Sequence, residues 1–185
     1  MLSCGAEEID AAVMRLMLLR HAKSEKAEPG MRDRDRRLSV RGQADAAMIA
    51  DYMAGHALRP DRVVVSSAER TRETWQRMAT AFPASPVEYE DRLYESGTEA
   101  ILGVIREIGR SASPLLVIGH NPGLHDTARQ LIAPGTREAH RLDEGLPTCG
   151  LVVIDFARKD WQKLASRSGR LDRFVTPRQI KTARD

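Results

Sequence analysis

The chain has 185 residues, a length that suits one folded domain with a single core. Hydrophobic residues make up 42% and charged residues 30% of it, which is typical of a globular protein and excludes a disordered one. The two cysteines are too few for a disulfide framework, and no apolar run approaches the roughly 18 residues of a membrane helix. Acidic residues near the N-terminus argue against a signal peptide. We therefore expect a cytoplasmic protein that does not associate with membranes.

The net charge of +3 is unevenly distributed, because residues 158–185 contain nine Lys or Arg and only three Asp or Glu. A basic segment occurs in many nucleic-acid-binding proteins, so a non-catalytic module that binds anions or nucleic acid is one alternative function. A solvated C-terminal face explains the same charges, and the chain has only three Phe and three Tyr with which to stack bases. We therefore predict no nucleic-acid partner.

Apolar runs and helical periodicity alternate along most of the chain. Short, nearly continuous apolar runs predict strands at residues 13–19, 62–66, 87–89, 115–118 and 150–156. Apolar periodicity and capping signals predict helices at residues 40–54, 69–82, 101–108 and 123–132. Ser39 is a predicted N-cap and Gly55 a predicted C′ residue of the first helix. Residues 161–164 and 170–175 are predicted to form edge strands or a final hairpin.

This alternation predicts an α/β fold: a three-layer α/β/α sandwich with a mostly parallel central sheet and helices on both faces. We expect residues 1–14 to be a flexible N-terminal extension and residues 15–185 to form one domain. The polar, charged segment 23–37 is predicted to be a loop.

Cationic or potentially cationic residues follow three of the predicted strands. Arg20 and His21 end the first strand, Arg70 follows the second, and His120 lies in the turn 119–123 after the 115–118 strand. Because ligands of such sheets bind at the carboxyl ends of the strands, we expect these four side chains to share one pocket.

A phosphoryl group is the ligand that this combination favours. Guanidinium groups match phosphate oxygens bidentately, and imidazole can act either as a nucleophile or as a charged donor. Each residue also has a purely structural interpretation: Arg70 could pair with Glu69 or Glu73 on its own helix, and His120 could simply stabilise a turn. The occurrence of such residues at three strand ends, rather than any single residue, supports a phosphoryl-binding site.

Several segments carry a resemblance to a known family. Residues 18–22 (LLRHA) with 36–42 (RRLSVRG) resemble the opening of the histidine phosphatase superfamily, whose fold is that of phosphoglycerate mutase. Residues 66–74 (SSAERTRET) resemble the second motif of this superfamily, and residues 117–124 (VIGHNPGL) resemble its third. Together with residues 147–150 (PTCG), the short chain looks most like the SixA-type phosphohistidine phosphatase branch. The resemblance extends over about residues 15–177.

The resemblance implies a role for each residue of the expected pocket. His21 would be the nucleophile and form a phosphohistidine intermediate, and Arg20, Arg70 and His120 would hold the phosphoryl oxygens. Attack requires a neutral His21, whereas His120 is expected to work in its protonated form. The implied substrate is a phosphorylated molecule, in particular a protein that carries phosphohistidine, and no cofactor is required.

Three further residues are candidates for the site. Asn121, in the turn that carries His120, and Arg36, in the predicted loop, are candidate substrate-binding residues, although the sequence favours a solvated loop arginine for Arg36. Glu95 follows an Arg-Leu-Tyr segment and could be a general acid, which leaves open an alternative: a phosphomonoesterase for phosphosugars or phosphoglycerate. No metal site is predicted, because His120 and His125 are five residues apart and do not share a helix face.

Overall fold

A six-stranded sheet forms the middle layer of the protein. The structure is a computed structural model that describes residues 13–109, 112–135, 137–157 and 160–183. Its strands are β1 (Met14–Arg20), β2 (Arg62–Ser66), β3 (Val87–Glu90), β4 (Leu115–Gly119), β5 (Leu151–Phe156) and β6 (Arg170–Val175). They lie in the order β3-β2-β4-β1-β5-β6. Only β5, which pairs antiparallel with both neighbours, runs against the other five. The predicted mostly parallel sheet is thus confirmed.

Helices cover both faces of this sheet. They are α1 (Val40–Gly55), α2 (Glu69–Met78), α3 (Thr98–Gly109), α4 (Gly123–Leu131), α5 (Arg137–Asp143) and α6 (Pro177–Thr182). One apolar cluster joins α1, α2 and α6 to one face, and a second joins α3, α4 and α5 to the opposite face. None of the described helices has the length and apolar character needed to span a bilayer. The α/β/α sandwich is therefore confirmed.

Two predicted features of the secondary structure were wrong. Trp161–Lys163 is a 3-10 helix, and of the two segments predicted as edge strands only β6 is one. The Trp161 indole is buried and donates to the Ala112 carbonyl, so packing and a tertiary hydrogen bond fix this segment. Gly55 belongs to α1, and the left-handed residue after the helix is Ala57, with φ of 56°. Ser39 does cap α1, accepting from the amide of Gly42.

The start of the folded domain also differs from the predicted one. Met14, which the sequence predicted both as the end of the extension and as part of the first strand, is the first residue of β1 and is buried. The rest of the predicted extension, apart from the exposed Val13, lies outside the described residues. The predicted 23–37 loop contains a 3-10 helix at Asp33–Asp35.

The sheet order places three strand ends side by side. Strands β2, β4 and β1 are consecutive neighbours and parallel, so their carboxyl ends lie at one edge. In the register between β1 and β4, Arg20 is opposite Gly119, and the amide of His21 donates to the Gly119 carbonyl over 3.0 Å. The residues that follow these strands are therefore neighbours.

Candidate active site

His21 lies immediately after β1 and is buried, with 8% of its surface exposed. Its Nδ1 is 2.8 Å from the carbonyl oxygen of Ala22. A carbonyl can only accept, so Nδ1 carries the proton and Nε2 keeps its lone pair. Burial is the main reason that the pKa of His21 falls to about 4, and the nearby guanidinium groups of Arg70 and Arg20 lower it further, against the hydrogen bond to Ala22. At neutral pH this imidazole is uncharged, and its Nε2 is unprotonated.

Arg70, in the first turn of α2, connects the two imidazoles. Its Nε is 3.3 Å from Nε2 of His21, and its Nη2 is 3.3 Å from Nδ1 of His120. The guanidinium does not pair with Glu69 or Glu73, as the structural interpretation of the sequence allowed. It forms an ion pair with Asp33 over 2.9 Å, while Glu73 accepts from a backbone amide in the neighbouring loop.

His120 follows β4, and its ring centre is 5.1 Å from that of His21. Its Nε2 is 2.8 Å from the hydroxyl of Ser66, which is fully buried at the end of β2. Since Arg70 can only donate to Nδ1, the neutral ring donates its Nε2 proton to Ser66. Burial, followed by the charges of His21 and Arg70, lowers the pKa of His120 to about 3. His120 is therefore neutral in this site and not protonated as expected, because burial and the neighbouring positive groups outweigh the carboxylate of Asp33, which acts in the opposite direction.

Arg20 and Asn121 converge on a backbone carbonyl at one side of these rings. Nη1 of Arg20 and Nδ2 of Asn121 donate to the carbonyl oxygen of Leu146 over 2.9 and 2.8 Å. Within the described residues, Nε of Arg20 and Oδ1 of Asn121 are buried and have no hydrogen-bond partner. A buried donor without a partner is costly, so Arg20 retains the capacity to bind an acceptor that enters the site. We call Arg20, His21, Arg70 and His120 the basic floor.

Two glycines allow backbone segments beside the basic floor to approach each other closely. A Cβ atom on Gly123, at the start of α4, would lie 2.1 Å from the carbonyl oxygen of Ser96. A Cβ atom on Gly42 in α1 would lie 2.0 Å from the carbonyl oxygen of Lys23. Any side chain at either position would displace the turn after His120 or the loop after His21, so these glycines help to position the floor.

A second group of residues lies above the basic floor, at the mouth of the site. The Asp33 carboxylate pairs with Arg70 over 2.9 Å and with Arg36 over 2.9 Å, and it accepts from the Tyr94 hydroxyl over 3.1 Å. Arg34 contacts both Ser67 and Asp91. We call Asp33, Arg34, Arg36, Asp91 and Tyr94 the rim. Positive and negative side chains alternate in the rim. Its residues come from the 23–37 loop and from the segment after β3.

Comparison with known proteins identifies the family. The model of the histidine phosphatase superfamily (branch 1) matches residues 16–114, which include His21 and Arg70. The chain belongs to the histidine phosphatase superfamily. An uncharacterised protein of Mycobacterium leprae is 31% identical over 165 residues, covering 86% of this chain and all of that protein.

Solved structures of this superfamily share the fold of the chain. One, designated a phosphohistidine phosphatase SixA of Agrobacterium tumefaciens, is 36% identical with a TM-score of 0.76, covering 89% of this chain and 98% of that one. Another, given the same designation in Nakamurella multipartita, is 28% identical with a TM-score of 0.78, covering 89% and 96%. The fold of the chain is thus that of SixA-type histidine phosphatases.

The candidate site brings together most of the residues that the sequence indicated. Arg20, His21, Arg70 and His120 meet in the floor, and Asn121 joins Arg20 at the Leu146 carbonyl. Arg36 lies in the rim, where it holds Asp33 and also donates to the Ser24 hydroxyl and the Glu25 carbonyl. In the described residues, no group of His, Cys, Asp and Glu is arranged to hold a metal ion.

Glu95 lies outside both the basic floor and the rim. Its side chain is exposed, and its backbone is left-handed, with φ of 49°. Its carboxylate lies beside the hydroxyl of Tyr94, the residue whose ring edge contacts His120 at 5.6 Å between ring centres. In the described part of the chain it makes no hydrogen bond to the four residues of the basic floor.

Sequence reasoning missed Asp33, Ser66 and Tyr94. Asp33 is one of two aspartates in the run 32–36, where arginine and aspartate alternate. Only the turn of the 3-10 helix directs Asp33 to Arg70 and leaves Asp35 with Arg32. Ser66 lies in a motif that the sequence indicated, and its burial at the end of an apolar strand was the available signal.

Proposed function

We propose that this histidine phosphatase hydrolyses phosphorylated substrates through a phosphoryl group carried on Nε2 of His21. The observation that supports this proposal most strongly is the state of that imidazole. Its Nδ1 donates to the Ala22 carbonyl, its pKa is about 4, and its unprotonated Nε2 accepts a hydrogen bond from Nε of Arg70 over 3.3 Å. A nucleophile in phosphoryl transfer needs a lone pair, a fixed orientation and nearby positive charge for the equatorial oxygens.

The first step transfers the phosphoryl group to the enzyme. Nε2 of His21 attacks the phosphorus, and the bond from phosphorus to the leaving group breaks on the opposite side. Arg70 and the unpartnered Nε of Arg20 donate to the phosphoryl oxygens. The negative charge of the phosphoryl group raises the pKa of His120, so that its Nδ1 also becomes a donor. In the second step, water attacks the phosphorus, the bond to Nε2 breaks, and inorganic phosphate leaves.

The proposed substrate is phosphohistidine in a protein. Similarity to the two proteins designated SixA phosphohistidine phosphatases supports this choice. An imidazole leaving group also needs less help from an acid than an alkoxide does, which fits a floor composed of bases and cations. The second candidate, hydrolysis of phosphate monoesters with Glu95 as general acid, has the position of Glu95 beside Tyr94 in its favour.

Trapping the intermediate tests the mechanism. Brief incubation with a labelled phosphohistidine protein should leave acid-labile phosphate on the wild-type chain and none on His21→Ala. His56→Ala is the matched control, because His56 is exposed and interacts with Tyr52, so it should be labelled like wild type. Labelling that persists in His21→Ala, or that is absent from the wild type during turnover, would rule out the proposed nucleophile.

A further inference from the structure

The carboxylate of Asp33 occupies the donors that a phosphoryl group would need. One of its oxygens is 2.9 Å from Nη2 of Arg70, the same nitrogen that lies 3.3 Å from Nδ1 of His120. The other oxygen is 2.9 Å from Nη1 of Arg36, and the Tyr94 hydroxyl donates to the first over 3.1 Å. A carboxylate held by two guanidinium groups and a hydroxyl presents oxygens as the phosphoryl group does.

The Arg70 guanidinium is buried and therefore requires a negative charge nearby. Only 8% of the Arg70 side chain is exposed, and its closest neighbours in the floor are two imidazoles and a second arginine. A buried cation without a counter-charge is strongly unfavourable. Asp33 supplies that counter-charge from within the chain. Desolvation acts to raise the pKa of its carboxyl, but Arg36, Arg70 and Tyr94 together lower this pKa below its ordinary value and keep the group ionised.

We propose that Asp33 is an internal competitor for the phosphoryl site and thereby sets how weakly the enzyme holds free phosphate. The inference rests on the proposed function, because it places the phosphoryl group at the Arg70 end of the floor. Substrate would displace the carboxylate, and the returning carboxylate would promote the release of inorganic phosphate. A substrate with further contacts, such as a protein, tolerates this competition better than free phosphate does.

The surroundings of Asp33 allow such an exchange. Its side chain is 45% exposed, so the displaced carboxylate can turn into water without losing solvation. The adjacent Arg34 anchors the loop independently, through Ser67 and Asp91. Rotation of the Asp33 side chain would free Nη2 of Arg70, while Nη1 of Arg70 keeps its hydrogen bond to the Asp33 backbone carbonyl over 2.7 Å, so the 3-10 helix stays in place.

Direct binding of inorganic phosphate to the intact chain tests this proposal. In isothermal titration calorimetry, Asp33→Asn should bind phosphate about tenfold more tightly than wild type, since a neutral amide competes less well for guanidinium donors than a carboxylate does. Asp35→Asn is the matched control: it removes the same charge from the same 3-10 helix, but Asp35 pairs with Arg32. It should bind phosphate within about twofold of wild type, as expected for an exposed pair that is screened by solvent.

A second variant and a second measurement distinguish the loss of the Asp33 charge from a general disturbance of its loop. Asp33→Glu keeps the charge and should remain closer to wild type than Asp33→Asn does. Phosphate should also raise the melting temperature of Asp33→Asn more than that of wild type, because tighter binding adds more stability at one ligand concentration. Equal or weaker phosphate binding by Asp33→Asn, or equal tightening by Asp35→Asn, would overturn the proposal.

The results separate this inference from the proposed function. If phospho-His21 is trapped but Asp33→Asn does not tighten phosphate binding, the competitor role fails and the nucleophile stands. If Asp33→Asn tightens binding but no phospho-His21 forms, the competitor role stands and the proposed mechanism fails.

Discussion

The basic floor and the rim are two layers of one site that are built in opposite ways. The floor is buried and follows directly from parallel strands, so backbone hydrogen bonds fix its geometry. The rim is exposed, with 43% of the Arg34 side chain and 74% of the Asp91 side chain accessible, and ion pairs between two loops hold it. Exposed ion pairs contribute little stability and exchange partners easily. The floor is therefore suited to precise chemistry, and the rim to regulating access to it.

Substitutions within the floor should cost far more activity than substitutions outside it. In Arg70→Lys, a single ammonium replaces the planar group that reaches both His21 and His120, so we expect kcat/KM to fall by about a hundredfold or more. Arg72→Lys is the matched control, because Arg72 is two residues further along α2 and lies over the Tyr89 ring. Steady-state kinetics of the two variants should differ; comparable losses would mean that the helix, and not the guanidinium, was affected.

The floor should also make folding depend on pH. His21 and His120 have pKa values of about 4 and 3 in the folded chain, below the ordinary 6.5. As the pH falls below about 6.5, the unfolded chain takes up protons that the folded chain refuses. The free energy of unfolding should therefore decrease between about pH 6.5 and pH 4, by about 1.4 kcal/mol per pH unit for each imidazole.

Urea unfolding from pH 7 to pH 5 in phosphate-free buffer measures this dependence. His120→Asn should lose about half of the slope that the two imidazoles produce. His140→Asn, whose parent side chain is 78% exposed, should keep the wild-type slope. An unchanged slope in His120→Asn would show that this imidazole does not resist protonation in the folded chain.

Two adjacent serines give the sharpest comparison of floor and rim. Ser66 is buried and lies 2.8 Å from Nε2 of His120, whereas Ser67 contacts Arg34 and Asp91 in the rim. Ser66→Ala should lower kcat about fivefold, because His120 loses the partner that fixes its ring and its tautomer. Ser67→Ala should change kcat by less than about twofold. Equal effects in the two variants would remove the distinction drawn between the layers.

The sequence predicted the floor better than the rim for a physical reason. Strands β1 and β4 are recognisable as apolar runs, and parallel strands must end at the same edge, so the sequence alone places His21 and His120 near each other. Which ring nitrogen faces the site could not be predicted, because that depends on the carbonyl of Ala22 and the hydroxyl of Ser66.

The rim could not be predicted, because its contacts join segments far apart in the chain and follow no periodicity. Asp33 and Asp35 are equivalent in the sequence, and the Asp33–Asp35 turn alone distinguishes them. Tyr94 reaches Asp33 across 61 positions of the chain. Similarly, the end of α1 and the 3-10 helix at Trp161–Lys163 depend on tertiary packing that local patterns do not encode.

The register between β1 and β4 has a consequence for protein design. His21 and His120 each follow a strand end, one position beyond the Arg20–Gly119 pair, and their ring centres are 5.1 Å apart. That separation is close to the roughly 4.8 Å between neighbouring strands. The separation of the two ring centres therefore matches the spacing of the two strands that carry them. A de novo version of this site would start from a parallel strand pair in this register and add the partners that orient the rings, the Ala22 carbonyl and the Ser66 hydroxyl.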